Sequence, residues 1–403
     1  MTGRVYLDNN ATTPVLPDVL EAMQPYFGAH FGNASSIHHH GQETRAAVEH
    51  AREAVAKLLG CVASEVVFTS GGTEADNLAI FGVVKPGDHV ITSTVEHHAV
   101  LNACKHVATL GCEVTGIPVD GRGLVDPTDV KRAIRPNTKL ITIMFANNET
   151  GVLQPVAEIG KIAAEAGVYF HTDAVQAAGK VGVDVHDIAC DLLTISGHKI
   201  HGPQGVGALY VRKGTDLEAM LYGGSHERSR RAGTENVPGI VGLGKAAELA
   251  FASLEQGDVM KVAAERDRLE LELLEIESTG LNGGGAPRVP NTTNIYFDGI
   301  EGEALVIALD LKGLAVSTGA ACSSGAIEPS HVLTAMGLRS ESAKASIRFS
   351  LGKQNTVEDV DFALRLIPDI VGRLRELSPL WVSSRSKIAV SQQPARSQET
   401  RPF

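Results

Sequence analysis

The sequence predicts an α/β protein with a large domain, built on a mostly parallel sheet flanked by helices, and a smaller α+β domain. From about residue 43 to residue 249, amphipathic helical patterns alternate with short apolar strand patterns, which is typical of a parallel sheet with helical connections. The chain has 403 residues, of which 43% are hydrophobic. It is therefore long enough for two domains that share a cleft.

The large domain begins with a helix, a strand and a second helix around a glycine-rich turn. Residues 46–59 have helical spacing and end at Gly60. Residues 66–68 form an apolar strand that leads into the turn 70–73, and residues 74–81 again have helical spacing. Free backbone N–H groups at the start of a helix attract anions. The turn is therefore a candidate phosphate-binding site.

Polar residues follow the remaining predicted strands in a regular way. These strands are predicted at residues 90–92, 140–145, 168–171, 192–195 and 206–211. The polar groups that come after carboxyl ends of strands are Thr73, Asn148, Asp173 and the loop with Lys199. Because ligands bind at that edge of an open α/β sheet, the sequence predicts a binding site there.

The last third of the chain predicts the smaller domain. A charged helix at residues 262–276 leads into it, strands are predicted at 293–297 and 314–318, and Val357–Leu377 is the closing helix. We place the large domain at residues 15–260 and the small domain at residues 1–14 and 261–382. Residues 383–403 are polar and lack apolar periodicity, so we expect a disordered tail.

Charge and cysteine content argue against several classes of protein. The chain has 36 Lys and Arg against 47 Asp and Glu, which disfavours nucleic acid or an anionic membrane as a main partner. No signal-peptide pattern opens the chain and no uninterrupted apolar stretch could span a bilayer, so we expect a cytoplasmic protein. The five cysteines form no C-x-x-C pair, and we interpret histidines 38–40 as a surface loop. We therefore expect neither disulfides nor a resident metal.

Lys199 and Asp173 are the first candidates for chemistry. A lysine in the loop Ser196-Gly197-His198-Lys199 can form a Schiff base with an aldehyde cofactor if its surroundings free the amine. A solvated lysine on a surface turn is the alternative. Asp173 favours the first interpretation, because a carboxylate at this sheet edge can pair with a pyridinium nitrogen. An aspartate that caps the next helix is the alternative for that residue.

Three further residues are candidates from their surroundings. Cys322 lies among small residues, which favours an exposed and reactive thiol, whereas the other four cysteines have apolar or helical neighbours. His97 can stack on a flat cofactor, although a lone histidine is more often structural. Arg348 can clamp a substrate carboxylate, and a structural salt bridge is equally compatible with its position.

Together these motifs resemble the class V aminotransferase superfamily of fold-type I pyridoxal-phosphate enzymes, and within it the cysteine desulfurases. The resemblance runs from about Tyr6 to Trp381, and residues 6–13 and 230–236 are closest to the nitrogenase-associated type. Two departures stand out. Ala34 replaces a usual proline, and the tail after Trp381 does not match the scaffold-docking end of the housekeeping desulfurases.

The resemblance implies how a cofactor would be held. Lys199 would form the Schiff base with pyridoxal 5'-phosphate, Asp173 would pair with the ring nitrogen, and Gln176 would donate to the phenolate oxygen. His97 would stack on the ring and manage a catalytic proton. The phosphate would be bound by a larger group: Gly72, Thr73, Ser196, His198 and, from the neighbouring subunit, Thr234.

The resemblance also implies an activity and its partners. Asn148 and Arg348 would bind the carboxylate of L-cysteine, and Cys322 would take the sulfur as a persulfide while L-alanine is released. The enzyme would be a homodimer with shared active sites that supplies an iron–sulfur scaffold, in particular a nitrogenase-type one, and Cys322 would touch a cluster only transiently. A selenocysteine lyase or another class V aminotransferase-type enzyme is the alternative. A non-enzymatic scaffold fits poorly with Lys199, Asp173 and Cys322 all being present.

Overall fold

A central sheet of seven strands organises the computed structural model, which describes residues 4–319, 328–379 and 381. The strands, in chain order, are β1 (Val5–Tyr6), β2 (Val66–Thr69), β3 (His89–Ser93), β4 (Glu113–Ile117), β5 (Thr138–Thr142), β6 (Tyr169–Asp173), β7 (Leu192–Ser196), β8 (Gly207–Val211), β9 (Thr279–Leu281), β10 (Thr292–Phe297), β11 (Leu314–Ala315) and β12 (Ser346–Ser350). The central sheet has the order β2-β8-β7-β6-β5-β3-β4. Of the seven strands in this sheet, β8 alone points opposite to the other six, so the predicted, mostly parallel sheet is confirmed.

Helices cover the sheet and connect its strands. They are α1 (Pro17–Met23), α2 (His39–Leu59), α3 (Gly72–Phe81), α4 (His98–Thr109), α5 (Pro127–Ala133), α6 (Val156–Ala166), α7 (Val185–Ile188), α8 (Val237–Glu255), α9 (Asp258–Leu274), α10 (Gly302–Leu311), α11 (His331–Ala335), α12 (Ser340–Lys344) and α13 (Val357–Leu377). Neighbouring residues of β5 show how both faces are filled. Leu140 and Ile141 are fully buried and belong to different clusters of apolar side chains.

The carboxyl ends of five strands meet at one edge of the central sheet. The strands β3, β5, β6 and β7 are parallel to one another. The strand β2 is antiparallel to β8, which is antiparallel to β7, so β2 points the same way as β7. The turns that follow β2, β3, β5, β6 and β7 therefore share an edge, as the sequence predicts.

A second core surrounds two small sheets. The strands β12, β10 and β9 form an antiparallel sheet, and β1 pairs with β11 in parallel. Val5 and Leu7 from the start of the described chain pack into this core beside Ile295 and Phe349. The N-terminal segment thus joins the second core before the chain enters the central sheet.

Helix α8 has the length and apolar composition of a membrane span, but 56% of its apolar window is buried inside the protein. It packs closely on α2: a Cβ added to Gly244 would come within 2.5 Å of the Ala51 Cα and Cβ atoms. That close approach requires glycine, because any side chain would push the two helices apart. The burial and the packing are those of a core helix.

Several predicted boundaries differ from the structure. Helix α2 begins at His39, because His38 caps it by accepting from the Gly41 N–H, so the triple histidine is not a surface loop as predicted. Regular pairing of β5 ends at Thr142 rather than at residue 145. The Phe145 N–H nevertheless donates to the Asp173 carbonyl at 2.8 Å, so backbone hydrogen bonding between these two segments continues beyond Thr142. The strand predicted at 314–318 is only the two residues of β11.

Candidate active site

A cavity of about 450 Å³ lies at the shared edge of the sheet. Almost all of the predicted site residues line it: Gly72, Thr73, His97, Asn148, Asp173, Gln176, Ser196, His198, Lys199 and Arg348. Cys322 lies outside the described residues, as do the residues of the predicted tail, 383–403. Gly319 and Glu328, the described residues on either side of the segment with Cys322, both line the cavity.

Lys199 reaches the cavity from a short 3₁₀ turn, Gly197–Lys199, that follows β7 directly. Its Nζ donates to the carbonyls of Asn10 at 2.6 Å and Ala11 at 2.7 Å. Burial, and then the Arg348 cation, lower the pKa of the Lys199 amine to about 8. A substantial fraction of the amine is therefore uncharged, and nucleophilic, near neutral pH.

Asp173 is the last residue of β6 and is buried. Its Oδ1 accepts from the Val175 N–H at 2.9 Å. Burial raises the pKa of Asp173, while the positive charge of Lys199, and of His97 when it is protonated, acts in the opposite direction. A buried carboxylate in this position favours a cationic partner in the cavity, because burial strengthens the attraction between opposite charges.

His97 is the N-cap residue of helix α4, in the segment that connects β3 to this helix. Its Nδ1 accepts from the Ala99 N–H at 3.1 Å, so the neutral ring carries its proton on Nε2. Burial lowers the pKa of His97 below its ordinary value, which keeps the ring neutral at neutral pH. The side chain can therefore present a flat neutral face and one N–H group to the cavity.

The glycine-rich turn after β2 forms a cradle at the first turn of α3. A Cβ added to Gly72 would come within 2.9 Å of Val175 Cγ2, so a larger residue would fill the space. The first N–H groups of a helix have no helical acceptor and face outward. Burial lowers the pKa of His198, on the same cavity wall, to about 4, so its ring is a neutral hydrogen-bonding group.

Arg348 lies on β12 and reaches the cavity from the second core. Its Nη2 donates to Asp8 Oδ1 at 2.6 Å and its Nη1 to the Asn148 carbonyl at 3.0 Å. Its Nε is buried without a hydrogen-bond partner among the described residues. Arg348 therefore forms a structural ion pair and still has an unused donor, so the two interpretations of its position are compatible.

Thr234 is exposed and does not line the cavity of its own chain. It lies three residues after Arg231, whose Nε donates to Glu74 Oε1 at 2.8 Å. Glu74 is in the first turn of α3, beside the glycine-rich cradle, and its Oε2 accepts from the Ser70 N–H. The segment that holds Thr234 is thus tied to the cradle while Thr234 itself faces outward.

Several residues of the site and its surroundings were missed from the sequence, and four of them are polar groups that contact or flank the predicted site residues. Asp8, Asn10 and Lys180 bind Arg348, Lys199 and Gln176 respectively, and Asp76 lines the cavity next to Asp173. Helical spacing in the segment after Gly72 could have indicated that Asp76 faces the sheet. Asn10 and Lys180 are 170 residues apart in the sequence, and no local pattern links them. In the described part of the chain, no group of three or more His, Cys, Asp or Glu residues could hold a metal ion.

The residues of the cavity fit pyridoxal phosphate. Lys199 offers an amine that is partly uncharged, Asp173 offers a buried carboxylate for the ring nitrogen, and the Gly72 cradle accepts an anion at a helix start. These three features match the three chemical groups of the cofactor, which are the aldehyde, the pyridinium and the phosphate.

Comparisons with known proteins agree with this fit. The family model "Aminotransferase class-V" matches residues 5–362. A "Cysteine desulfurase IscS" of Methanosarcina thermophila is 53% identical over 382 residues, covering 93% of this chain and 94% of that protein. A solved "NIFS-LIKE PROTEIN" superposes with a TM-score of 0.86 at 38% identity, covering 92% of this chain and all of that one.

A further solved structure, "SspA in complex with cysteine", has a TM-score of 0.78 at 37% identity and covers 87% of this chain and 100% of that one. The similarity extends over nearly the whole length of each of these proteins. The chain therefore belongs to the class-V aminotransferase family and, within it, to the pyridoxal-phosphate-dependent cysteine desulfurases.

Proposed function

We propose that the enzyme converts L-cysteine to L-alanine and keeps the sulfur as a persulfide on Cys322. One observation supports this most strongly: Lys199, Asp173 and His97 line a single cavity whose rim includes both described neighbours of the Cys322 segment. An amine, a carboxylate and an imidazole around one cavity are the groups that cysteine desulfuration needs.

Each cavity residue has a proposed role in holding the cofactor. Asp173 binds the ring nitrogen, His97 stacks on the ring, and Gln176 donates to the ring oxygen. The phosphate is bound by Gly72, Thr73, Ser196, His198 and Thr234 of the partner subunit. When bound, pyridoxal phosphate supplies an electron sink for the negative charge that develops on the substrate Cα.

Lys199 is the proposed general base. Arg348 and Asn148 hold the substrate carboxylate, which fixes the Cα–H bond relative to the lysine. With its pKa lowered to about 8, the Lys199 amine can accept the Cα proton near neutral pH and return it later. His97 lines the same cavity, and its Nε2–H is the proposed hydrogen-bond donor to the thiolate that forms there, which is how it would manage the thiol proton.

Sulfur transfer then takes place on the chain's own thiol. The Cys322 thiolate attacks the sulfur of the substrate, an S–S bond forms, and the bond between that sulfur and the substrate Cβ breaks. The electron pair stays with the carbon, which takes up a proton and leaves as L-alanine. Cys322 is oxidised to the persulfide while the substrate carbon is reduced, so no external oxidant or reductant is needed.

The proposal includes the setting of the enzyme. It is a cytoplasmic enzyme. It is also a homodimer, because Thr234 faces away from its own cavity and is proposed to complete the cavity of the partner subunit. The persulfide is passed to an iron–sulfur scaffold protein. Supply to nitrogenase assembly is the finer proposal, and it rests on the motifs at residues 6–13 and 230–236.

The experiment compares two cysteine variants after reconstitution with pyridoxal phosphate. Cys322→Ala should lose sulfide and alanine formation from L-cysteine but keep the visible absorption of the bound cofactor. Cys61→Ala is the control, because burial raises the pKa of the Cys61 thiol to about 12 and leaves almost no thiolate. Sulfide release at the parent rate from Cys322→Ala would refute the assignment.

A further inference from the structure

Lys180 is a second lysine beside the cavity: it contacts the wall residue Gln176, and the proposed function gives it no role. It follows Gly179 in the turn after β6, four residues beyond Gln176. Its Nζ donates to Gln176 Oε1 at 2.5 Å and to Asn10 Oδ1 at 3.0 Å. Lys180 itself lines a smaller neighbouring cavity, whose wall also includes Lys199 and Lys353.

Asn10 is a rigid support for this arrangement. It is fully buried, and its Nδ2 donates to Thr292 Oγ1 at 2.9 Å while its Oδ1 also accepts from Asn291 Nδ2 at 3.1 Å. Its carbonyl accepts from both Lys199 Nζ and Gln176 Nε2. The acceptor positions around Lys180 are therefore fixed by the surrounding fold.

The side-chain amide of Gln176 has two possible orientations, and its neighbours select one. In the observed orientation Oε1 faces the Lys180 amine and Nε2 faces the Asn10 carbonyl at 2.9 Å. Rotating the amide by half a turn would set its oxygen against the Asn10 carbonyl oxygen and its NH₂ against the Lys180 donors. Both contacts would lose a hydrogen bond between buried groups, which is unfavourable.

The charge of Lys180 is consistent with this supporting role. Burial, and then the Lys199 and Arg348 cations, lower the pKa of Lys180 well below its ordinary value. The neighbouring cations thus disfavour a further positive charge here, and the Lys180 amine is the donor in both of its observed contacts. Lys199, which lines the cavity, remains the amine with access to the cofactor aldehyde, whereas Lys180 contacts the side chains of Gln176 and Asn10.

We propose that Lys180 is a positioning residue that fixes the Gln176 amide, so that its NH₂ group stays available to the ring oxygen of the cofactor. The proposal rests on the role proposed above for Gln176. It assigns Lys180 to the orientation of a cofactor contact rather than to the chemistry of the substrate.

The test uses the absorption of the holoenzyme as a function of pH. Removing a donor from an anionic ring oxygen favours the protonated form of the cofactor, so the pH midpoint of its visible band should rise. Lys180→Met and Gln176→Ala should each raise the midpoint by about 0.5–1 pH unit. The double variant should shift no further than the larger single shift, because both changes remove the same contact.

Lys353→Met is the matched control. Its amine lies on the same neighbouring cavity but donates only to the Leu249 carbonyl, at 3.4 Å, among the contacts described, so the midpoint should equal that of the parent. If Lys180→Met does not retain the cofactor, Lys180→Gln replaces it, because the shorter amide cannot reach Gln176 Oε1, and the same shift is expected.

Two results would overturn the proposal while leaving the role of Gln176 intact. One is a parent-like midpoint in Lys180→Met beside a shifted one in Gln176→Ala, and the other is a double variant whose shift is the full sum of the two. A parent-like midpoint in Gln176→Ala would also remove the proposal, since Lys180 would have no contact to position. Sulfide formation by the parent enzyme and its loss in Cys322→Ala test the proposed function separately.

Discussion

The sheet edge with Asp173 and Lys199 and the arm of residues 225–236 with Thr234 are built in opposite ways. At the sheet edge, Asp173 is the last residue of one regular strand, and the turn with Lys199 directly follows another. In the arm, the three consecutive non-glycine residues 227–229 have φ values of 45°, 56° and 65°, in the left-handed region. Such residues cost about 1–2 kcal/mol each and persist only where other contacts hold them.

The arm is held by a buried ion pair. Arg52 donates from Nη1 to Glu227 Oε2 at 2.7 Å and from Nη2 to Oε1 at 2.9 Å, and the Phe68 N–H donates to Oε2 at 3.0 Å. Asp173 and Lys199 are thus positioned by regular strands. The contact proposed for Thr234 with the partner subunit requires a strained segment with its own anchor.

The largest expected effect concerns the sheet edge. Lys199→Ala should lower the rate of alanine formation from L-cysteine by at least about 10²–10⁴-fold, because it removes the proposed general base. Lys353→Met, which changes a lysine outside the cavity, should keep the parent rate. Alanine is measured by chromatography at saturating cofactor, and a Lys199→Ala enzyme that keeps more than about one tenth of the parent rate would contradict the assignment.

The second prediction breaks the anchor of the arm. Glu227→Ala should lower the free energy of unfolding by about 3–5 kcal/mol, because it leaves the buried Arg52 guanidinium without its buried carboxylate partner. Equilibrium unfolding in denaturant measures the change. Glu49→Ala is the control: it contacts Arg52 Nε at 3.2 Å, but its side chain is 49% exposed. The control should therefore cost only about 0–1 kcal/mol, because solvent screens that pair.

Equal losses of stability in Glu227→Ala and Glu49→Ala would show that burial does not distinguish the two carboxylates. The arm would then have to be held by contacts other than the buried Arg52–Glu227 ion pair. A large loss of stability in Glu227→Ala alone would show that the buried ion pair holds the arm.

The sheet edge was predictable from the sequence because its signals are local. An apolar run of strand length followed by a polar residue identifies Asp173, Asn148 and the Lys199 loop one strand at a time, and parallel strands bring them to one edge. The structure places these residues on one cavity. The same reasoning predicted β6 and β7 closely, and failed at β11, where pairing to β1 lasts only two residues.

The supports of the site were not predictable, because their partners are distant in the sequence. Arg52 and Glu227 are separated by 175 residues, and Arg348 and Asp8 by 340. A lysine such as Lys180 resembles a solvated surface residue until the fold closes over it. Residue type and spacing identify the groups that carry chemistry, whereas only the tertiary structure identifies the groups that hold them.

The third prediction uses the pKa of Lys199. Burial depresses this pKa from 10.5 to about 8, so the uncharged amine increases with pH up to about 8 and changes little above about 9. The rate at which the apoenzyme captures pyridoxal phosphate should rise about tenfold per pH unit below 7 and level off above 9. Stopped-flow absorbance measures it. A rate that still rises tenfold per unit up to pH 10 would indicate an ordinary lysine.

The smallest expected effect separates two carboxyl groups of the cavity. Asp76 is fully buried, its Oδ1 has no hydrogen-bond partner in the described part of the chain, and it lies 3.6 Å from His171 Nε2. Burial lowers the pKa of His171 to about 3, so that ring supplies no positive charge. Burial and the neighbouring Asp173 carboxyl raise the pKa of Asp76 well above its ordinary value. We therefore expect Asp76 to be protonated at neutral pH while Asp173 carries the negative charge.

A neutral isostere should then replace Asp76 at little cost. Asp76→Asn should change turnover and cofactor absorption by no more than about twofold, because the side chain keeps its shape and its charge. Asp173→Asn is the matched comparison and should lower turnover by about 10²-fold or more, since it leaves the ring nitrogen without a buried anion. Equal damage in the two variants would mean that both carboxylates are ionised. Repulsion between two such anions next to a neutral His171 makes that state unfavourable in so small a buried space.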